Sequence, residues 1–450
     1  MRNCYFAALI LIITLLALSA CGTTTFNEQT TYTMAGYNPP GDTVSADSAP
    51  SSEASAEAPT SAPQGDAGTE APTSAPQGDA GTDAPSNTPP GDTDPAPICE
   101  ADIWISGLSQ REQIGQLIMP RLQWQTTAVS PSLHNWFADY PVGGIILFSD
   151  NVDSIQQVQA LTAGLQAASR YPLFIATDEE GGRVSRVGRL FNDLPTLPAY
   201  DIGRTGDPDA AYQSSRLIGE RLLSLGINMN FAPVADVWTN PANTVIGNRA
   251  FGSDPETAGI MVDAAVRGLN SSGVLSTIKH FPGHGDTYED SHYLLAVYHH
   301  DRARFDQVEA PPFMRGIDAG VNGVMMGHIA TPQLQNPDAP LYWMESWLAA
   351  GTLPATFSDF WVQDVLRGQM GFEGLVITDA LDMRAMTDHF TPAQIALGAF
   401  IAGADILLMP TDIPATFDAL TAALEDGVFD EERLHESLRR IFFARQQLLN

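Results

Sequence analysis

Lysine is almost missing from this chain: Lys279 is the only one in 450 residues, beside 21 arginines. Basic side chains number 22 against 53 acidic ones, for a net charge of −31. That balance argues against nucleic acid or an anionic lipid surface as a partner, because phosphate binding needs clustered Lys and Arg. Cysteine is scarce too. Cys4, Cys21 and Cys99 stand far apart in unlike surroundings, so no disulfide framework follows. Between Gly22 and Ile98 large apolar side chains are nearly absent, and Ala, Pro, Thr, Ser, Gly and Asp dominate. Such a stretch cannot bury enough apolar surface to offset its ordering entropy, which excludes a folded core there. Its eleven acidic residues, with no Lys or Arg among them, read as a solvated spacer.

The spacer holds a thirteen-residue repeat, Ala58 to Glu70 followed by Ala71 to Asp83 with only the last residue changed. As flexible coil the segment has a root-mean-square span of about 50 Å, the reach of a tether. Ahead of it, Met1 to Ala20 reads as a signal peptide, with Arg2 at its positive end and the apolar run Tyr5 to Leu18 behind. Leu18-Ser19-Ala20-Cys21-Gly22 resembles the bacterial lipobox, in which cleavage leaves a lipid-modified cysteine. The run falls short of the ~20 residues of an uncleaved span. The expected order is therefore a lipoprotein signal peptide over residues 1–20, a lipidated Cys21 with a disordered linker over 21–98, and one folded domain over 99–450. That domain is expected outside the cytoplasm, held to a bacterial membrane by its lipid anchor only.

Inside the domain, apolar β-branched runs at Val142 to Phe148, Leu173 to Thr177, Ile227 to Val234, Val274 to Ile278, Gly323 to Ile329, Leu375 to Thr378 and Ile406 to Met409 read as buried strands. Helical patterns lie between them at Ile155 to Ser169, Asp209 to Ser224, Glu256 to Ser272 and Trp361 to Met370. This alternation implies an α/β fold of parallel strands with crossover helices. Composition alone does not separate an eight-stranded barrel from a doubly wound open sheet. The strand ends tip the balance: Asp178, Asp236, Lys279-His280, His328 and Asp379 each follow an apolar run. Charged residues from five strands over one mouth favour a TIM-type (β/α)8 barrel.

The segment richest in chemistry runs from Lys279 to His292, with three histidines and three acidic residues. His280 and His284 have the i, i+4 spacing of a zinc-binding helix, but Pro282, Gly283 and Gly285 forbid a regular helix, so no metal site is expected. A chain that elsewhere uses Arg keeps Lys at 279, where a compact ammonium differs from a planar fork. In Asp290-Ser291-His292, an extended backbone would turn carboxylate and imidazole the same way. Asp290 could then fix the ring's tautomer and favour its protonated form, leaving the other nitrogen for a substrate. Asp286 and Glu289 are alternative partners for the same ring.

Five ordered segments carry a resemblance: Thr177-Asp178-Glu179-Glu180-Gly181-Gly182-Arg183-Val184-Ser185-Arg186, Asn230 to Val237, Ile246 to Phe251, Lys279 to His292, and Val376 to Met383. Together they resemble glycoside hydrolase family 3, and more closely its β-N-acetylglucosaminidase branch. The resemblance implies that Asp379 is a nucleophile forming a glycosyl ester with retention of configuration. It implies that His292 is the acid and base, held by Asp290. It also implies that Asp178, Arg186, Arg249, Lys279 and His280 hold sugar hydroxyls. Glucosidases of the family usually take their acid from a second domain and lack the Asp-Ser-His loop, whereas this chain ends soon after its last strand. Two departures stand out: Ala380 where many relatives have a second Asp, and Asp382 where a small polar residue is more usual. They imply an altered leaving-group preference.

The expected activity is thus exo-hydrolysis of β-linked N-acetylglucosamine from wall-derived or chitin-derived oligosaccharides by a monomer without metal or organic cofactor. A β-glucosidase or β-xylosidase shares the nucleophile and is the first rival. A lipid-anchored sugar-binding protein that has lost the chemistry is the second.

Overall fold

The computed structural model describes residues 99–450 apart from 124, 192–195 and 449–450. The signal peptide, Cys21 and the spacer lie outside the described residues. Strands follow in chain order as β1 Ile118–Met119, β2 Gly144–Ile146, β3 Phe174–Thr177, β4 Met229–Asn230, β5 Leu275–Phe281, β6 Ala296–Val297, β7 Gly323–Met326, β8 Ile329–Ala330, β9 Leu375–Thr378 and β10 Leu407–Leu408. Six of them form one parallel sheet in the order β2-β3-β4-β5-β7-β9. Their residues are buried throughout, which is why they read as unbroken apolar runs rather than alternating ones.

The crossover helices start where the sequence supplies a cap. Ser154 accepts the Gln157 N–H ahead of Ile155–Ala168, and Asp207 and Asp254 each precede a proline at the first helical position of Pro208–Ser224 and Pro255–Ser271. Thr391 and Gln394 form a reciprocal capping box before Pro392–Ala402. The segment expected to be helical from Trp361 is a π-type helix, Phe360–Gln369. It buries Trp361 edge-on against Phe305, with ring centroids 4.8 Å apart, and against Phe281 at 5.6 Å. The indole N–H donates to Thr331 Oγ1 at 2.8 Å, so its one polar atom is satisfied inside the core.

The expected closed eight-stranded barrel is corrected by the strand pairing. β1 and β10 pair with each other as a separate two-stranded piece, and each meets the six-stranded sheet through a single isolated bridge, Arg121 with Ile146 and Ile377 with Ile406. The result is a parallel half-barrel with helices. Both seam strands have only two residues. Pro120 follows β1 and has no N–H to donate, and Met409 after β10 turns to a φ of 52°. Strand ends alone do not reveal this. Lys279 lies in β5, and Asp178, Asp236, His328 and Asp379 follow β3, β4, β7 and β9, all strands of the six-stranded sheet whether or not it closes.

One buried carboxylate ties that seam to the last helix, Glu431–Gln447. Asp405, fully buried, accepts from Arg367 at 2.8 Å and the Val376 N–H at 2.9 Å on one oxygen. Its other oxygen accepts from Ser437 at 2.6 Å and Arg440 at 3.0 Å. Asp405→Ala would leave Arg367 without its counter-charge and Arg440 with only the more distant Glu436, at 3.8 Å, and it is expected to lower stability by about 3–5 kcal/mol. Denaturant unfolding measures this; a loss below about 1 kcal/mol, the size of an ordinary surface change, would show that the cluster holds nothing.

Candidate active site

The carboxyl-terminal ends of the parallel strands surround a cavity of about 320 Å³, the place where open α/β sheets gather their chemistry. Asp178, Arg186, Arg249, Lys279, His280, His292 and Asp379 all line it. Asp290 joins them through His292. The structure thus brings together every residue of the folded domain to which the family resemblance gives a role. His328 does not face the cavity; it lies beneath, with Nδ1 2.7 Å from Thr356 Oγ1 and Nε2 3.0 Å from the Ala380 carbonyl oxygen.

One wall is a lattice of charges. The Lys279 ammonium reaches Asp178 at 2.7 Å and Glu180 at 2.6 Å, and Arg249 grips both oxygens of Glu180 at 2.8 and 2.9 Å. Arg186 approaches the other side of Asp178 at 3.8 Å. Burial alone would push Glu180 up, but the charges of Arg249 and Lys279 outweigh it and hold the carboxyl well below the usual range. Burial likewise opposes the Lys279 charge, and Asp178 and Glu180 reverse that, so its pKa is raised. Next to this wall Glu179 turns inward and organises the loop that carries Arg186. Its carboxylate accepts from Ser185 at 2.5 Å and from the Arg186 and Val187 N–H groups at 2.6 and 2.8 Å.

A second set of bonds fixes the loop after β5. Buried Asp236 accepts His280 Nδ1 at 2.8 Å and the His284 N–H at 2.6 Å. Burial would raise its carboxyl, and the positive character of His280 brings it below normal. Gly285 is required for close approach, since a Cβ there would lie 2.0 Å from the Val237 carbonyl oxygen. Gly283, at φ 134°, takes a backbone angle that favours glycine, over the Glu309 side chain. His284 does not aim at a ligand with His280: its ring bonds Thr287 Oγ1 and Ser291 Oγ instead.

Asp379 stands at the end of β9. Its Oδ1 accepts the Ala380 N–H at 2.8 Å, and although burial pushes its carboxyl up, His280 and His328 hold it below the ordinary value. It is therefore kept ionised, as a nucleophile must be. His292 is open to solvent, with Nδ1 2.7 Å from Asp290 Oδ1, which also accepts the His292 N–H at 2.9 Å. Neither alternative partner competes for the ring. Asp286 is occupied by Thr239 at 2.6 Å and His300 at 2.5 Å, and Glu289 accepts the Val297 N–H at 3.4 Å. A carboxylate on the cavity wall and an imidazole with one nitrogen committed can between them attack a carbon centre and deliver a proton to a departing oxygen.

Three charged lining residues, Glu180, Arg121 and Asp382, have no role assigned from sequence. Glu180 sits within the Thr177 to Arg186 motif, and its position beside a second acid was the available signal. Arg121, which bonds Asp150 at 3.0 Å, follows β1, a strand too short to stand out in the sequence. Asp382 opens onto the cavity yet is walled by protein. That desolvation, partly offset by Arg121 and reinforced by Asp379, pushes its carboxyl up to about 6.

Residues 109–444 match the pattern described as the glycosyl hydrolase family 3 N terminal domain. Beta-hexosaminidase A of Pseudoalteromonas piscicida is 40% identical over 334 residues, covering 70% of this chain and 55% of that protein. A beta-hexosaminidase of Chromobacterium violaceum is 38% identical over 305 residues, 67% of this chain and 80% of its own. Among solved structures, a glycoside hydrolase family 3 beta-N-acetylglucosaminidase from a Paenibacillus species superposes with a TM-score of 0.69 at 37% identity, covering 76% of this chain and 63% of that one. A beta-N-acetylhexosaminidase from Beutenbergia cavernae gives 0.66 at 31%, covering 75% and 99%. The chain thus spans little more than half of the Pseudoalteromonas relative.

The charge lattice predicts a pH signature. Lys279→Met, close in volume, removes the cation between two carboxylates and is expected to destabilise by about 3–5 kcal/mol at neutral pH. Glu180, held low in the wild type, stabilises above its unfolded pKa of 4.5 and loses that contribution as pH falls toward its folded value. In the variant the Glu180 carboxyl, without the Lys279 charge, rises and loses less on acidification. The stability gap between the two proteins should therefore narrow below pH 4.5. Unfolding curves from pH 3 to 8 test this, and a gap constant across that range would contradict the lattice.

Proposed function

The chain belongs to glycosyl hydrolase family 3, and on that premise we propose that it is a retaining exo-β-N-acetylglucosaminidase acting on β-linked oligosaccharides. The observation that carries the proposal is one cavity lined by both an ionised, buried Asp379 and a His292 whose Nδ1 is taken by Asp290. The relatives named beta-hexosaminidase support the choice of sugar.

The reaction follows from these groups. An Asp379 oxygen attacks the anomeric carbon while the glycosidic C–O bond breaks, and the protonated His292 ring gives its Nε2 proton to the departing oxygen. A glycosyl ester on Asp379 and a neutral His292 result. Water then attacks the same carbon as His292 takes its proton, and Asp379 leaves as a carboxylate. Two inversions give net retention. Asp290 orients the ring and stabilises the imidazolium. Asp178, Arg186, Arg249, Lys279 and His280 are placed to bind hydroxyls of the terminal sugar, the carboxylates as acceptors and the cations as donors.

The sequence supports a location as well: a lipoprotein anchored through Cys21, working outside the cytoplasm as a monomer on wall-derived or chitin-derived chains. Cys21→Ala is expected to move the protein from the membrane pellet to the soluble extracytoplasmic fraction. Persistence in the pellet would count against the anchor.

Release of 4-nitrophenol from its β-N-acetylglucosaminide and its β-glucoside by the full chain tests the activity. The first should be cleaved in preference, with the β-anomer appearing first by NMR. Asp379→Ala should lower kcat/KM on the order of 10^4-fold with the fold intact, and His292→Ala about 10^2-fold or more on substrates whose leaving group needs a proton. Preference for the glucoside, or an unimpaired His292→Ala, would overturn the assignment.

A further inference from the structure

His292 lies in a solvent-open loop, its side chain 61% exposed, yet a proton donor has to be held to within a fraction of an ångström. Asp290 holds one ring nitrogen, and the residue between the two is the anchored one. Ser291 is 2% exposed, and its hydroxyl lies 3.0 Å from Nε2 of His284, itself 1% exposed. His284 is anchored in turn at its backbone, where its N–H donates to buried Asp236 at 2.6 Å and its carbonyl accepts from Asn243 Nδ2 at 2.7 Å.

The bonds around His284 fix its proton. The Thr287 hydroxyl has a single hydrogen, and the His284 carbonyl, 2.9 Å away, can only accept it. The His284 Nδ1, 2.6 Å from the same hydroxyl oxygen, must then be the donor to it. Burial together with the neighbouring His280 brings the His284 pKa down to about 4, so the ring is neutral. With its one proton on Nδ1, Nε2 is the acceptor for the Ser291 hydroxyl. The backbone on the far side of the triplet is fastened too, since the His292 carbonyl accepts the Arg384 N–H, just past Asp379 in sequence.

We propose that His284 is a positioning residue of the reaction: it holds Ser291, and through Ser291 it sets the His292 ring over the cavity. This rests on reading His292 as the proton donor. Asp290 then fixes which ring nitrogen faces the substrate, and His284 fixes where the ring stands. The buried histidine of the loop takes no proton itself.

The test uses two substrates with the full chain: a β-linked N-acetylglucosamine disaccharide, whose leaving alkoxide needs a proton, and the 2,4-dinitrophenyl glycoside, whose leaving group does not. Ser291→Ala and His284→Ala should each lower kcat/KM about 10- to 100-fold on the disaccharide and by less than about threefold on the dinitrophenyl glycoside. Because the two residues act in series, the double variant should be no slower than the worse single one. Equal losses on both substrates, or losses that multiply in the double variant, would overturn the proposal, since a general loosening of the site produces either. Should His284→Ala fail to fold, Ser291→Ala alone carries the leaving-group comparison. His292→Ala separates the two readings. If it is impaired on the disaccharide while Ser291→Ala is not, only the positioning role falls; if it is unimpaired, the function itself does.

Discussion

The ammonium of Lys279, 3% exposed between Asp178 and Glu180, is the contact on which the rest of the site depends. Two carboxylates on the loop after β3 face it, and one of them is gripped a second time by Arg249 from a separate loop. None of these charges could be buried alone, because desolvation costs several kcal/mol per ion. Together they form a rigid polar wall whose outward-facing donors and acceptors suit a polyhydroxylated ring. A guanidinium in place of the ammonium would be planar and larger, and it could not point three donors into the same gap.

Opposite that wall the chain solves a second problem, which is to keep imidazoles and carboxylates next to one another while giving each a distinct state. Asp379 is buried and surrounded by histidines, so it stays ionised. His284 is buried and hydrogen-bonded to hydroxyls rather than carboxylates, so it stays neutral. His292 is left in solvent with a carboxylate on one nitrogen. Three environments produced by one turn of loop and one strand end thus give an ionised carboxylate, a buried neutral imidazole and a solvent-open imidazole paired with a carboxylate. The glycines at 283 and 285 make the arrangement possible by letting the backbone pass within contact of Glu309 and Val237.

Much of this was legible in residue order. The doubled acids and Arg of Thr177 to Arg186, the Lys279 to His292 run and Asp379 are short local patterns, and each stays within one loop or strand end, where sequence neighbours remain spatial neighbours. Strand runs were visible because buried parallel strands are apolar on both faces. Their edges were not: Ile227 to Val234 shrinks to a two-residue β4, because pairing rather than hydrophobicity defines where a strand stops. The closure of the sheet was misjudged for a related reason. Polar residues at strand ends are equally compatible with six paired strands and with eight, and the decision rests on the short seams at β1 and β10.

The sequence by itself determined the chemistry available, namely a lone lysine, a carboxylate after an apolar run, and a carboxylate two residues from an imidazole in a loop that glycines and a proline keep from being helical. Those properties are local, and covalent order preserves them. Only the tertiary structure decided which acid serves which base. Asp286 lies only six residues before His292, yet it is claimed by Thr239 and His300, and Glu180 is claimed by an arginine 69 residues away. Hydrogen bonds select by distance and direction to within a few tenths of an ångström, and that selection exists only once the strands have brought their ends to one cavity.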